Sequence, residues 1–231
     1  MAILQNFNID WLQPEATGPP QRSWDIYLRH LITKGRGSPL WIPAPNKSLP
    51  IEYQRTGILL GDVGIIDQRG TFDFLFNICL PANHPLNRNK VPENFSQLSI
   101  DAEDIHEYSE FEGESCLSSA SIKKIRSARN SRYLQHLPLF LMSHPVYFRH
   151  LIFESSTSEG AILAMPVGSN SRDLRNSLAF GNYMAQHAPA WYRYAKIVRG
   201  RKVRNGEIRL VTGNDKTSNW GMATFSSSGS A

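Results

Sequence analysis

Two apolar segments joined by a glycine turn constrain the fold of this chain more than any other feature. Residues 57–66 are β-branched and apolar, and residues 71–80 alternate between apolar and mixed positions. Alternation places four apolar side chains on one face, namely Phe72, Phe74, Phe76 and Ile78. Residues 67–70 are a turn signal, because Gly70 can adopt positive φ without steric cost. The pattern predicts an antiparallel hairpin within 53–80 that buries one face.

Glycines in the first segment raise the alternative of a phosphate-binding loop. Gly57, Gly61 and Gly64 match neither the dinucleotide-binding spacing nor the P-loop spacing, and no helix is expected directly after them. A strand relieved by glycine, or a β-bulge, is the favoured interpretation.

Composition indicates an ordinary globular protein of the α+β class. The 231 residues are 41% hydrophobic and 19% charged, which suits one substantial core. We expect antiparallel β-hairpins forming a sheet, with two or three helices packed on one side. The predicted organisation is a flexible arm over 1–22, one domain over 23–225, and a disordered tail over 226–231.

Helices and further hairpins are predicted from local signals. Helices are expected over 23–31 and 171–187, and a second helix start is expected at Pro189. Two more hairpins are expected within 147–166 and 207–225.

Charges are segregated in the middle of the chain. Seven carboxylates without a Lys or Arg lie in 101–114, and five basic residues without an acid lie in 123–132. Such blocks either pair with each other or form solvated surfaces, and the sequence leaves both open.

No constellation typical of catalysis or metal binding stands out. The seven histidines are scattered and no C-x-x-C motif occurs, so no metal or other cofactor is expected. Cys79 and His84 form the one short-range nucleophile–base pair, and a buried Cys beside a turn His is the favoured interpretation. A hydrolase with a Cys or Ser nucleophile remains the alternative function.

Two polar stretches are candidate binding sites. The first is a predicted ligand or partner loop formed by Asp215, Lys216, Thr217 and Trp220. Its alternative is an Asx-type turn in which Trp220 is buried.

The second stretch is basic and interleaved with aromatic residues, which suits contact with an anionic membrane surface. Its candidate contacts are Arg193, Lys196, Arg199, Arg201, Lys202 and Arg204. Contact with nucleic acid is the less favoured interpretation, and a solvated helix end is the plain one.

Several motifs resemble a large family of proteins from mushroom-forming (basidiomycete) fungi. They are GDVG at 61–64, FDFLFNICLP at 72–81, SEGAIL at 158–163, WYRY at 191–194 and LVTGNDKTSNWG at 210–221. The resemblance implies no activity. In such relatives a cysteine is expected where this chain has Asn214, and the chain is expected to continue beyond the WG motif, so this C-terminus is potentially truncated.

The sequence as a whole favours a non-enzymatic interaction or effector domain with a protein partner. The N-terminus lacks a basic start followed by a long apolar run, so we expect a soluble cytoplasmic protein. The net charge of +5 and the pI near 9.3 permit an acidic partner. A membrane-active, pore-forming-like module is a variant, because the strand at 210–213 resembles central-sheet strands of gasdermin-like proteins.

Overall fold

Antiparallel sheets and three helices make up the regular structure, which confirms the α+β class. The computed structural model describes residues 2–5, 22–126 and 151–226. The helices are α1 (Ser23–Ile32), α2 (Ile51–Thr56) and α3 (Ser177–Arg193). The strands are β1 (Ala2–Gln5), β2 (Ser38–Pro39), β3 (Asp62–Ile66), β4 (Phe72–Asn77), β5 (Ile105–Tyr108), β6 (Ser115–Ser118), β7 (Ile122–Arg126), β8 (Leu151–Ser155), β9 (Glu159–Met165), β10 (Asn170–Leu174), β11 (Ile208–Leu210), β12 (Gly213–Lys216) and β13 (Gly221–Ser226).

The strands are distributed over several small sheets. The largest has the order β2-β1-β12-β10-β5, and two three-stranded sheets have the orders β11-β3-β4 and β13-β9-β6. Strands β7 and β8 pair with each other. Residues 2–5, at the start of the predicted arm, form β1 and pair with β12 and β2. Residues 6–21 of the predicted arm and residues 227–231 of the predicted tail lie outside the described residues, whereas Ser226 ends β13.

The hairpin predicted from the opening motif is confirmed as β3 and β4. The turn closes through Gly70, whose φ is 71°, and Asp67 N–H donates to Thr71 O over 2.9 Å. The register shifts between Val63 and Gly64, so a β-bulge interrupts the pair. The bulge places Leu75 and Phe76 in the core on the α3 side, whereas Phe72 and Phe74 lie in the core on the α2 side. The predicted single face of Phe72, Phe74, Phe76 and Ile78 is therefore wrong.

Both faces of the β11-β3-β4 sheet are covered. One face packs on α3 through a core that includes Phe76, Phe180 and Trp191, with Trp191 edge-on to Phe76 at a centroid distance of 5.7 Å. The other face packs on α2 through Tyr53 and Phe74. Sequence reasoning missed α2 and extended the first strand back over 57–61.

A third core forms between α1 and β9. The helix predicted over 23–31 is confirmed as α1, and Asp25 Oδ2 accepts a hydrogen bond from Arg22 N–H at its start. Its buried side chains are Ile26, Tyr27 and Leu31. Tyr27 and Leu31 pack on Ala161, Leu163 and Met165 of β9.

The helix predicted over 171–187 begins later than expected. Residues 170–174 form β10, which pairs with both β12 and β5. Asn176 caps α3 by accepting from Ala179 N–H, and Pro189 lies inside the helix instead of starting a second one. Long-range sheet pairing therefore overrides the local helix-start signal.

The two other predicted hairpins are wrong in their pairing. Strands β8 and β9 are consecutive, but β8 pairs with β7 and β9 pairs with β6 and β13. Within 207–225, β11 pairs with β3, β12 with β1 and β10, and β13 with β9. Three successive segments thus join three different sheets.

Two carboxylates of the acidic block pair with arginines that lie outside the basic block. Glu107 pairs with Arg172 at 2.7 Å, and Glu110 lies 3.6 Å from Arg36. From the basic block, Lys124 donates to the carbonyl of Glu114. The basic residues beyond 126 lie outside the described part of the chain.

Candidate ligand-binding cleft

The end of strand β12 opens into a cleft of about 620 Å³, called here the Lys216 cleft. It is lined by residues 43–45, 54–58 and 167–170 together with Lys216, Thr217, Ser218 and Trp220. Three of the four residues predicted to form a ligand loop therefore lie together in one concave site. The surrounding segments come from the loop before α2, from the end of α2 and from the link between β9 and β10.

The predicted ligand loop begins within a strand, because Asp215 and Lys216 belong to β12. Lys216, Thr217 and Trp220 nevertheless line the cleft. Asp215 and Lys216 are the last residues of β12 and face Ser171 and Asn170 in β10. Alternation along the strand sends the two side chains to opposite faces of the sheet. Trp220 is 39% exposed, so the alternative in which it is buried is wrong.

Asp215 anchors the sheet and does not line the cleft. Its carboxylate is buried and accepts from Arg36 Nη2 at 2.9 Å and from Ser171 Oγ at 2.5 Å. Burial lowers the pKa of Arg36, but its hydrogen bonds to Asp215 and Tyr108 outweigh this effect and leave the pKa raised. Arg36 is therefore a fixed cation that stabilises the buried carboxylate.

Lys216 is the principal charged group of the cleft. Its Nζ donates to the carbonyl oxygen of Thr56 over 2.8 Å, which holds the ammonium at the cleft wall. Burial lowers the pKa of Lys216 to about 8, although the nearby Asp62 carboxylate works in the opposite direction. At neutral pH the group is still mostly protonated, and it gains stability from any anion that approaches it.

Asp62 lies in the core beneath this wall. It accepts from Tyr53 Oη at 2.6 Å, Leu59 N–H at 2.8 Å and Asn77 Nδ2 at 2.7 Å. Complete burial raises the pKa of Asp62 to about 7, while these hydrogen bonds and the charge of Lys216 oppose the shift. Asp62 thus holds the residues around the turn between α2 and β3 together.

The remaining wall of the cleft combines a cation with apolar surface. Among the described residues that line it, Arg55 and Lys216 are cationic and none is acidic. Trp220 and Val167 expose apolar surface to the same space. Ser169 has a buried hydroxyl that makes no hydrogen bond within the described structure.

Sequence reasoning missed the contribution of the three other segments. The turn at 166–170 carries a usable signal, because Gly168 adopts a φ of 77° and a Cβ there would lie 2.4 Å from Phe111 O. This turn presents Ser169 and Asn170 to the cleft. Arg55 has no comparable signal, since it reaches the site through the fold alone.

The predicted basic contact residues divide into structural and accessible groups. Arg193 lies 3.3 Å from Glu93, Arg199 donates to Leu75 O at 2.9 Å, and Arg201 binds Asp73. Lys196, Lys202 and Arg204 are exposed and line a second cleft, of about 790 Å³. Half of the predicted set therefore makes contacts within the described structure.

The surroundings of Cys79 do not activate its thiol. Burial raises the pKa of Cys79 to about 12, and the charge of Asp62 adds to this effect. The ring of His84 is engaged locally, where Nδ1 accepts from Leu86 N–H at 3.2 Å. A thiolate nucleophile at this position is disfavoured, whereas the serine form of the hydrolase alternative stays a prediction.

The described residues contain neither a cluster of metal ligands nor a helix able to span a membrane. They contain no group of three or more His, Cys, Asp or Glu side chains placed to hold a metal ion. No helix within them has both the length and the apolar character that crossing a membrane requires.

Comparison with known proteins identifies no relative of this chain. No protein-family model matches the chain, and no curated protein or solved structure matches it significantly.

Proposed function

We propose that this chain is a non-enzymatic interaction domain that binds an acidic segment of a partner protein in the Lys216 cleft. The observation that carries the proposal is the lining of the cleft. Two cations and an exposed tryptophan share one concave space, and no described lining residue is acidic.

Charge selects the class of ligand. Among the described residues the ammonium of Lys216 donates to one carbonyl, that of Thr56, which leaves donor capacity for an incoming carboxylate. Arg55 is exposed on the same wall and can contact a second anionic group. An acidic ligand therefore gains charge-assisted hydrogen bonds that a neutral or basic ligand does not.

Shape and apolar surface favour a peptide segment over a small ion. The cleft volume of about 620 Å³ lies within the range of roughly 300–1,000 Å³ typical of organic ligand sites. Trp220 and Val167 offer apolar contacts to side chains next to the acidic ones. Aromatic residues at such positions commonly contribute much of the binding energy at protein interfaces.

The test uses fluorescein-labelled peptides of Glu, Asp, Leu and Gly, with a matched library in which Lys replaces the acids. Fluorescence polarisation is measured for the wild type, Lys216→Met, Arg55→Gln and Trp220→Ala. Removing a charged hydrogen-bond donor should weaken acidic-peptide binding about tenfold or more. Lys90→Met removes an exposed lysine from another surface and is the matched control.

The proposal predicts binding of the acidic library alone, with losses in the three cleft variants and none in the control. Equal binding of both libraries, or equal losses in Lys90→Met, would contradict it. Arg55 is exposed, so its variant keeps the test valid if Lys216→Met lowers the melting temperature.

A further inference from the structure

The turn that follows α3 presents two apolar side chains to solvent. Residues 194–198 form one π-helical turn, in which Arg199 N–H donates to Tyr194 O over 3.0 Å. Ile197 is 76% exposed and Val198 is 66% exposed. π-helical turns occur frequently at functional sites, and adjacent exposed β-branched residues are unusual on a solvated surface.

This turn is held firmly by contacts beneath it. Arg199 donates to the carbonyl oxygens of Leu75 and Phe74 in β4, at 2.9 and 3.4 Å. Tyr194 Oη donates to Lys90 O over 2.6 Å. These hydrogen bonds fix the backbone of the turn against β4 and the chain at Lys90. The fixed backbone keeps the side chains of Ile197 and Val198 exposed to solvent.

A basic cleft adjoins the turn, with a volume of about 790 Å³. Its cationic lining residues are Arg22, Arg69, Lys196, Arg201, Lys202 and Arg204, and its carboxylates are Asp67, Asp73 and Glu207. Six cations against three carboxylates leave an excess of three positive charges.

The three carboxylates of this cleft are already engaged. Asp73 binds Arg201 and Asp67 binds Arg69, while Glu207 Oε2 accepts from the backbone N–H of Arg204 at 2.6 Å. The side chains of Lys196, Lys202 and Arg204 form no ion pair within the described structure. These three cations are therefore available to anions outside the protein.

We propose that this surface docks on an anionic phospholipid membrane, with lipid phosphates in the basic cleft and Ile197 and Val198 in the interfacial layer. Apolar side chains beside clustered cations combine the two contributions that retain a protein at a bilayer surface. A nucleic acid would engage the cations but would give Ile197 and Val198 no apolar phase to enter. The surface is separate from the Lys216 cleft, so this proposal does not depend on the proposed function.

Vesicle co-sedimentation tests the docking surface. The whole chain is mixed with phosphatidylcholine vesicles, and with vesicles that also contain phosphatidylserine, at low and moderate salt. Binding is expected to the anionic vesicles alone and to weaken with salt. Lys196→Gln and Lys202→Gln should each lower the partition coefficient about fivefold. The double variant Ile197→Ser/Val198→Ser should lower it by a similar factor or more.

Two control variants distinguish binding by this surface from nonspecific hydrophobic or electrostatic binding. Leu178→Ser removes a 72% exposed apolar residue at the other end of α3, and Lys47→Gln removes an exposed lysine from the loop before α2. Neither should change vesicle binding. Absence of binding to anionic vesicles, or equal losses in the controls, would overturn the proposal. The proposal would also be overturned if Ile197→Ser/Val198→Ser bound anionic vesicles as well as the wild type and duplex DNA displaced the vesicles. That result would show a general binding site for polyanions.

Discussion

Asn214 and Asn77 are equally buried, but only the side-chain amide of Asn77 has hydrogen-bond partners in the described structure. Each is 1% exposed. Asn77 Nδ2 donates to Asp62 and to Leu60 O, and its Oδ1 accepts from Cys79 N–H at 2.7 Å. Neither side-chain amide atom of Asn214 has a hydrogen-bond partner in the described structure. Unsatisfied buried amides cost stability, whereas satisfied ones contribute to it.

Replacing Asn214 should therefore stabilise the protein. Asn214→Cys removes the unpaired amide and is expected to raise the free energy of unfolding by about 1–2 kcal/mol. Asn77→Cys breaks the network at Asp62 and should lower it by about 2–4 kcal/mol. Urea denaturation followed by circular dichroism measures both. A loss of stability in Asn214→Cys would show that the Asn214 amide is satisfied in solution.

Asp62 gives stability a pH dependence opposite to that of an ordinary carboxylate. Burial raises its folded-state pKa to about 7 from the ordinary value of 3.8, so the folded protein holds the proton more tightly than the unfolded chain does. The contribution of Asp62 to stability is thus greatest at low pH and declines between about pH 4 and 7.

Asp62→Asn isolates this effect. The difference in unfolding free energy between wild type and Asp62→Asn should shift in favour of the variant as the pH rises from about 4 to 7, and then level off. Denaturant titrations across this range measure the difference. A difference that stays constant with pH would mean that Asp62 keeps an ordinary pKa in the folded state.

At the scale of single elements, the β3–β4 hairpin shows what local sequence determines. Its turn at Gly70, its apolar strands and a glycine-associated bulge all follow from neighbouring residues. The helix start predicted at 171 is wrong, although Asn170 and Asp173 are typical of a helix terminus. Pairing of this segment with β12 and β5, which are distant in sequence, makes it a strand against that local preference.

Gly64 tests the bulge directly. A Cβ at Gly64 would lie 2.4 Å from Phe72 Cζ and 2.7 Å from the backbone oxygen of Asp73. Gly64→Ala should therefore destabilise the protein by about 1–3 kcal/mol. Gly181→Ala in α3 is the matched control, because its Cβ meets nothing within 4 Å. That control should be neutral or stabilising by up to about 1 kcal/mol. Equal melting temperatures for the two variants would contradict the close packing at Gly64.

At the scale of the whole molecule, the Lys216 cleft is assembled from four segments far apart in the sequence. The sequence identified Lys216, Thr217 and Trp220 as candidate contacts from their polar, aromatic character at a turn. It could not supply Arg55 or Ser169, because their position depends on how β12, α2 and the 166–170 turn meet. Local patterns indicate elements, and long-range strand pairing creates the concave surface.

Binding in the Lys216 cleft should depend on pH in a defined direction. A bound anion stabilises the protonated form of Lys216, whose pKa in the free protein is lowered to about 8. Affinity for an acidic peptide should therefore be constant well below pH 8 and should fall as the pH rises above it. Polarisation measurements from pH 6 to 10 record this fall. In Lys216→Met the dependence should disappear, and its persistence there would assign it to another group.

The central claim is that an acidic ligand occupies the Lys216 cleft, and the most direct test is a nuclear magnetic resonance titration of the ¹⁵N-labelled protein with an acidic peptide selected by polarisation. We expect amide shifts to concentrate in residues 54–58, 167–170 and 216–220, and to require about tenfold more peptide or more in Lys216→Met. Shifts concentrated around 196–204, or spread over the surface without a maximum at the cleft, would contradict it.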